Sequence, residues 1–280
     1  MEYRVTVVVD NCVPLGNDAP LRGELGLALL VEGGGRRFLL DTGQSSVVTH
    51  NLNLLGLSPE SLDAIILSHG HFDHSGGLRD VLQNAHRRVP VYLHDTAFAV
   101  RHSVSHGTEH FVGIPFRREQ IEGWGGDLHC IRDPLQLLPN LWLSGSVPRQ
   151  TSFETGDTHL VIAGPDGSMI QDAVDDDIAL FVRLGDDLIV ISGCTHSGLV
   201  NMVRHGLAVT GAQRLHGWIG GTHLGPASAE QQRQTLDELE KLAPKFIATS
   251  HCTGFAMMAR LQERFGDRFT PAFVGTTIEF

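Results

Sequence analysis

Cysteine is scarce in this chain. There are four in 280 residues, Cys12, Cys130, Cys194 and Cys252, and none is paired at CxxC spacing. That argues against a zinc knuckle or a thioredoxin-like redox site. Aromatic residues are also few, at 6%. They leave Phe72, Phe111, Phe116, Phe153 and Trp124 as candidates to line a pocket for a flat ring. Positive charge is in deficit, with a formal net charge of -11, so the chain should repel nucleic-acid backbones. Its basic groups are short, and "HRRV" at 86–89 and "FRREQ" at 116–120 read as solvated turns. The opening "MEYRVTVVVDN" has no basic region followed by a long apolar run, and no dinucleotide fingerprint occurs. The expectation is a cytoplasmic protein with reduced thiols, no membrane contact and no nucleic-acid partner.

What is present is a core. Apolar residues make up 41% and charged residues 19%, which suits an ordered chain of one large domain or two small ones. Strand-like runs open the first half: 3–9, then two strands around a Gly-rich hairpin within 25–43, a buried strand at 63–67, a helix over 76–86 and a strand at 89–94. Residues 95–176 carry many Gly, Pro, His and Asp residues and only short candidate strands such as 159–164. They read as an irregular insertion or cap within a single domain spanning 1–280; the alternative is ordinary strands broken by loops. Order resumes with two strands in 177–198 and a helix over 198–209. A strand at 214–219 follows, then a helix through 228–242 with Ser228 as N-cap, a strand at 245–250 and a helix from near Gly254. Alternating strands and helices predict a layered α/β fold with polar loops at the ends of buried strands, where ligand sites form.

Sixteen histidines are many for a chain that uses none as ligands. Three stand in "HGHFDH" at 69–74, one residue beyond the apolar run "AIIL". His69 and His71 are placed to converge on one ion, and Asp73 and His74 on a second. Two metals there would clamp the attacking and leaving oxygens of a displacement. Three more histidines directly follow strands beside small residues: His196 in "SGCTHSG", His223 in "GGTHLG" and His251 in "TSHCTG". Asp41 in "LLDTG" also ends a strand, where it can orient histidines through their second ring nitrogens or make a plain Asx turn.

These motifs resemble the metallo-β-lactamase superfamily: "DTG" at 41–43, "HGHFDH" at 69–74, a later His and a final His. Within it, "VPRQTSFE" at 147–154, "GCTHSGLVN" at 193–201, "GGTHL" at 220–224 and "HCTG" at 251–254 resemble a subgroup. That subgroup is named for a 7,8-dihydropterin-6-yl-methyl-4-(β-D-ribofuranosyl)aminobenzene 5'-phosphate synthase. The resemblance implies a four-layer αββα sandwich of two mixed sheets flanked by helices. It implies one or two divalent metals, zinc first, with manganese or iron as alternatives. His69, His71 and His196 then look like ligands of the first metal, and Asp73, His74 and His251 like ligands of the second. The usual bridging aspartate has no counterpart, since "GGTH" stands at 220–223 where it is expected. Either His223 compensates or solvent alone bridges. Cys194 is a further candidate, weighed against a buried inert thiol.

The implied function is that of a metal-dependent hydrolase using a metal-bound hydroxide on a small molecule, with a phosphorylated, pterin-like heterocycle as the candidate substrate. Asp73 would hold and orient the nucleophile and His223 would donate to a leaving or oxyanionic oxygen. Arg117, Arg118 and Arg149 are the candidates for phosphate contacts, against a plain role as exposed cations. Alternatives on the same ligands are a lactone or thioester hydrolase, a di-iron redox protein, or a non-catalytic sensor. The sequence leaves monomer and homodimer undecided.

Overall fold

The computed structural model describes residues 2–16, 19–105, 107–164 and 166–280. In chain order the first half holds β1 (Tyr3–Val9), β2 (Ala28–Gly33), β3 (Arg36–Leu40), α1 (Val47–Leu54), β4 (Ala64–Ile66), α2 (Phe72–Ser75), α3 (Leu78–Ala85) and β5 (Val89–His94). The middle holds β6 (Arg101–Ser105), β7 (Thr108–Phe111), α4 (Arg118–Gly123), β8 (Gly126–Ile131), β9 (Leu135–Leu138), β10 (Leu141–Leu143), β11 (Leu160–Ala163) and β12 (Met169–Gln171). The remainder holds β13 (Ala179–Leu184), β14 (Asp187–Ser192), α5 (Leu199–Thr210), β15 (Arg214–Gly220), α6 (Ala229–Leu242), β16 (Phe246–Thr249), α7 (Phe255–Phe265), β17 (Phe269–Pro271) and β18 (Thr277–Glu279).

Two seven-stranded mixed sheets run β18-β1-β2-β3-β4-β5-β8 and β17-β16-β15-β14-β13-β10-β9. Each joins an antiparallel meander to a parallel run, which begins at the β3/β4 pair in one and the β14/β15 pair in the other. Side chains of a strand alternate between its two faces. Leu29 and Val31 of β2 accordingly enter the central cluster with Leu180, Ile189 and Ile219, while Ala28 and Leu30 face outward to Val48, Leu52 and Val81 of α1 and α3. On the opposite side Leu188 and Val190 of β14 meet Val203, Leu239 and Leu261 of α5, α6 and α7. Sheets buried on both faces need continuous apolar runs, which is why these strands read so plainly. The layers are therefore helix, sheet, sheet, helix, as the resemblance implied. Ser228 caps α6 by accepting from Gln231 N–H at 3.2 Å.

Residues 95–176 differ from the irregular insertion expected. β8 extends the first sheet, β9 and β10 extend the second, and the other four strands form a separate sheet, β12-β11-β6-β7. These strands lack a periodic signature because they are short and open: every residue of β7 and β12 is exposed. The small sheet is tied to the rest by Arg101, which is buried. Its guanidinium donates to Asp172 Oδ2 at 2.7 Å and to both oxygens of Asp176 at 2.6 and 2.9 Å. Asp176 also accepts the Gly70 N–H at 2.6 Å, inside the histidine loop.

Candidate metal centre

Five of the six residues expected to bind metal are buried histidines, and loops at the ends of β4, β14 and β16 bring them together with Asp73. Asp41, at the end of β3, is fully buried and organises the first loop. Its Oδ1 accepts the Ser68 N–H and its Oδ2 the Ser68 hydroxyl, each at 2.7 Å. Oδ2 also takes the ring N–H at His74 Nδ1, at 2.7 Å. Because the Ser68 hydrogen is committed to Asp41, the Ser68 oxygen accepts from His69 Nδ1 at 2.8 Å. On the far side His251 Nδ1 meets Asn11 Oδ1 at 2.9 Å, an oxygen that also accepts the Gly26 N–H.

Each of these three rings therefore spends its proton on an outer acceptor and presents a bare Nε2 inward. Such partners are what fix the orientation of metal-binding histidines. The inward nitrogens face one another. His69 Nε2 lies 3.0 Å from His71 Nδ1 and 3.2 Å from His196 Nε2. His74 Nε2 lies 3.2 Å from His251 Nε2 and 3.1 Å from Cys194 Sγ. Asp73 Oδ2 stands 3.8 Å from His74 Nε2 and 3.6 Å from His251 Nε2. Two nitrogens held tetrahedrally at the usual zinc distance would stand about 3.3 Å apart. Lone pairs this close repel without a cation between them, so the residues fit a metal.

The electrostatics agree. Burial, reinforced by the Arg101 charge and neighbouring imidazoles, pushes His71 down to about 3. Burial likewise holds His69 and His196 well below the ordinary imidazole range, so all three stay neutral as ligands must be. At His74 burial is outweighed by Asp41 and Asp73, which push it up to about 9. The pocket there calls for a positive charge. Burial pushes the Cys194 thiol well up.

Backbone strain concentrates in the same place. Asp41, Thr195, His223 and His251 all have positive φ, at 63°, 66°, 47° and 53°. Such conformations cost about 1–3 kcal/mol each and persist where surroundings impose them. Thr195 is held by its hydroxyl to Ser192 Oγ at 3.0 Å and Gly221 O at 2.9 Å. Gly193 is required by close approach, since a Cβ there would lie 2.1 Å from Ser68 Oγ. In the "VPRQTSFE" stretch Glu154 caps α5, taking the N–H groups of Val200 and Asn201 at 2.8 and 3.0 Å, and so steadies the His196 loop.

A cavity of about 220 Å³ opens over the centre, with Leu25, Phe72, Val112 and Leu160 as apolar wall and Ser103 and Asn11 as polar points. His223 also lines it. Its ring lies 4.1 Å from that of His196, its Nε2 meets Asp157 Oδ2 at 3.2 Å, and its Nδ1 is buried with no hydrogen-bond partner among the described residues. Burial is outweighed at His223 by Asp157 and Cys252, which raise it to about 9.

The three arginines expected to meet a phosphate do not line the cavity. Arg149 donates to the His196 and Ala173 carbonyls and braces the loop. Arg118 stacks over Phe98 at 4.5 Å and meets Cys130, and Arg117 caps α4. Phe111, Phe116, Phe153 and Trp124 likewise lie outside the wall, which Phe72 alone of the five aromatic candidates joins. Cys194 is buried as expected of an inert thiol, but its sulfur stands among the inward nitrogens. Sequence reasoning passed over Ser68, Asn11, Asp157 and Cys252. Ser68 and Cys252 adjoin histidines already singled out and Asn11 follows β1, so position could have flagged them; nothing marks Asp157.

Comparison with known proteins bears on this arrangement. The family model described as the metallo-beta-lactamase superfamily matches residues 21–251. The chain is 33% identical to the 7,8-dihydropterin-6-methyl-4-(beta-D-ribofuranosyl)-aminobenzene-5'-phosphate synthase of Methanocaldococcus jannaschii, covering 95% of this chain and 93% of that one. Among solved structures it resembles Tm1679, described as a metal-dependent hydrolase of the beta-lactamase superfamily, with a TM-score of 0.81, 24% identity and 99% of both chains covered. A diphosphatase of the PhnP family follows at a TM-score of 0.55 and 17% identity, over 100% of this chain and 98% of that one. These two structural likenesses speak to fold alone.

Proposed function

The chain belongs to the metallo-beta-lactamase superfamily, and from that premise we propose that it is a metal-dependent enzyme of small-molecule chemistry, a hydrolase in the first reading. The observation that carries this is the set of inward-facing ring nitrogens beneath a cavity, three of them, on His69, His74 and His251, with the outer ring nitrogen committed to a fixed acceptor. His69, His71 and His196 would hold one ion and Asp73, His74 and His251 a second. A divalent metal, zinc first and manganese or iron otherwise, supplies Lewis acidity to a substrate oxygen and acidifies a water molecule.

The protein's own groups do the rest. His223, charged at neutral pH, keeps one N–H on Asp157 and has the other to donate to an oxygen that gains negative charge. Asp73 orients the attacking group. Leu25, Phe72, Val112 and Leu160 exclude water and suit a flat or apolar part of the substrate. With none of the three candidate arginines at the cavity, a phosphate on the substrate would rely on the metals and His223.

A second reading is transfer to an acceptor other than water. It is favoured by the synthase to which the chain is 33% identical. Elemental analysis of freshly purified protein, followed by turnover assays on phosphoesters, lactones and thioesters with and without chelation, tests both. Chelator-sensitive hydrolysis supports the first reading, and bound metal with turnover only when an organic acceptor is added supports the second. Protein that holds no transition metal and takes none up overturns both.

A further inference from the structure

Resting on the metal-centre reading, we infer that Cys194 is a thiolate ligand shared between the two ion sites, in the place a bridging carboxylate would otherwise hold. Its sulfur belongs to three groups of converging donor atoms: Cys194–His223–Cys252, and two that join it to the histidines of the two ion sites, His69–Cys194–His196 and His74–Cys194–His251. Within each group all donor atoms lie within 4.8 Å of one another. No other residue is common to the two ion-site groups. The Sγ stands 3.1 Å from His74 Nε2, a nitrogen whose partner ring atom is already committed to Asp41. Cys194 is 3% exposed and lies in the floor of the cavity.

The position follows from the chain. β14 ends at Ser192, Gly193 lets the backbone pass against Ser68, and Cys194 is then the first side chain beyond the strand, aimed between the loops of both sheets. His223, the compensating residue suggested by "GGTH", has its Nε2 turned to Asp157; it converges with Cys194 and Cys252 but with neither histidine pair. A shared thiolate favours thiophilic ions, zinc, cobalt or cadmium, over manganese and magnesium. It also gives up its proton when the metals bind, because a coordinated thiol is deprotonated outright.

Cadmium-113 NMR of the full chain reads each site separately, because thiolate ligation moves a cadmium resonance far to high frequency. Two resonances are expected, both carrying the thiolate displacement. Both should shift back towards nitrogen and oxygen positions in Cys194→Ser and in Cys194→Asp, the latter keeping an acidic ligand should the serine variant fold poorly. Cys252→Ser should leave both in place. Displacement of one resonance only, loss of it in Cys252→Ser, or a single resonance overturns the shared ligand while the metal centre stands. Two undisplaced resonances in unaltered protein do the same. Failure to bind cadmium at all overturns the metal-centre reading together with this one.

Discussion

At the scale of single residues, the proton on each imidazole decides what the ring can do. Asp41 takes one directly from His74 and one indirectly, through Ser68, from His69. Asp41→Asn keeps the shape and tolerates the positive φ, but replaces an obligate acceptor with a group that can also donate. Metal affinity should fall roughly 10–100-fold, the usual effect of losing such a partner. Competition against a chelating dye measures it, and an unchanged affinity would show that Asp41 serves the turn alone. His223 makes the complementary case. It touches the cavity and is not among the six expected ligands. His223→Ala should leave metal content intact while lowering kcat by roughly 10²-fold or more, the scale of a lost proton donor. An undiminished kcat removes His223 from the chemistry.

At the scale of elements, the small sheet β12-β11-β6-β7 reaches the histidine loop through one buried ion network. Asp176 is enclosed by Arg101 and the Gly70 N–H, and burial raises it to about 6 even so. Arg101→Met would leave that carboxylate without its cation. A loss of about 3–5 kcal/mol in unfolding free energy is expected, read from urea denaturation. A loss below 1 kcal/mol would mean that Asp176 simply holds its proton. The same elements show what was legible beforehand. Strands buried on both faces, such as β1, β4 and β14, and helices with a capping serine, such as α6, follow from apolar period and cap chemistry. The histidines of the centre were visible because they cluster in loops that follow such strands, β4, β14 and β16. β6, β7 and β12 were not: all three are short, β7 and β12 are exposed edge strands, and β6 pairs with β11 some sixty residues on. Asp157 escaped for the same reason, since its meeting with His223 is purely tertiary.

At the scale of the whole molecule, the centre exists only where the two sheets meet, because His69, His71 and His74 come from one and His196 and His251 from the other. Folding thus fixes the ionisation of histidines that are independent in the unfolded chain, and pH must act on stability. His69, His71 and His196 are held below the ordinary value of 6.5 by burial, His71 at about 3. Below pH 6.5 the unfolded chain binds protons there that the folded chain refuses, so their contribution is full above 6.5 and is lost on acidification. His74 and His223 stand at about 9, so the folded chain keeps protons that the unfolded chain releases from 6.5 upward. Their contribution is full below 6.5 and is lost as pH climbs through 9. Asp176, raised from 3.8 to about 6, adds stability below that range and loses it through pH 6, opposing the acid-side loss. Burial raises Asp10, Glu154 and Asp177 in the same sense as Asp176, while Asp73, Asp157 and His94 are lowered and add to the acid-side loss; together with the three imidazoles these outweigh the raised carboxylates. Metal-free protein should therefore be most stable near pH 6.5, with lower urea midpoints at both pH 5 and pH 8.5. A metal takes the place of the His74 proton, so adding zinc should raise the midpoint more at pH 8.5 than at 6.5. A metal-free midpoint that rises steadily from pH 5 to 8.5 would mean that the imidazole cluster does not govern stability.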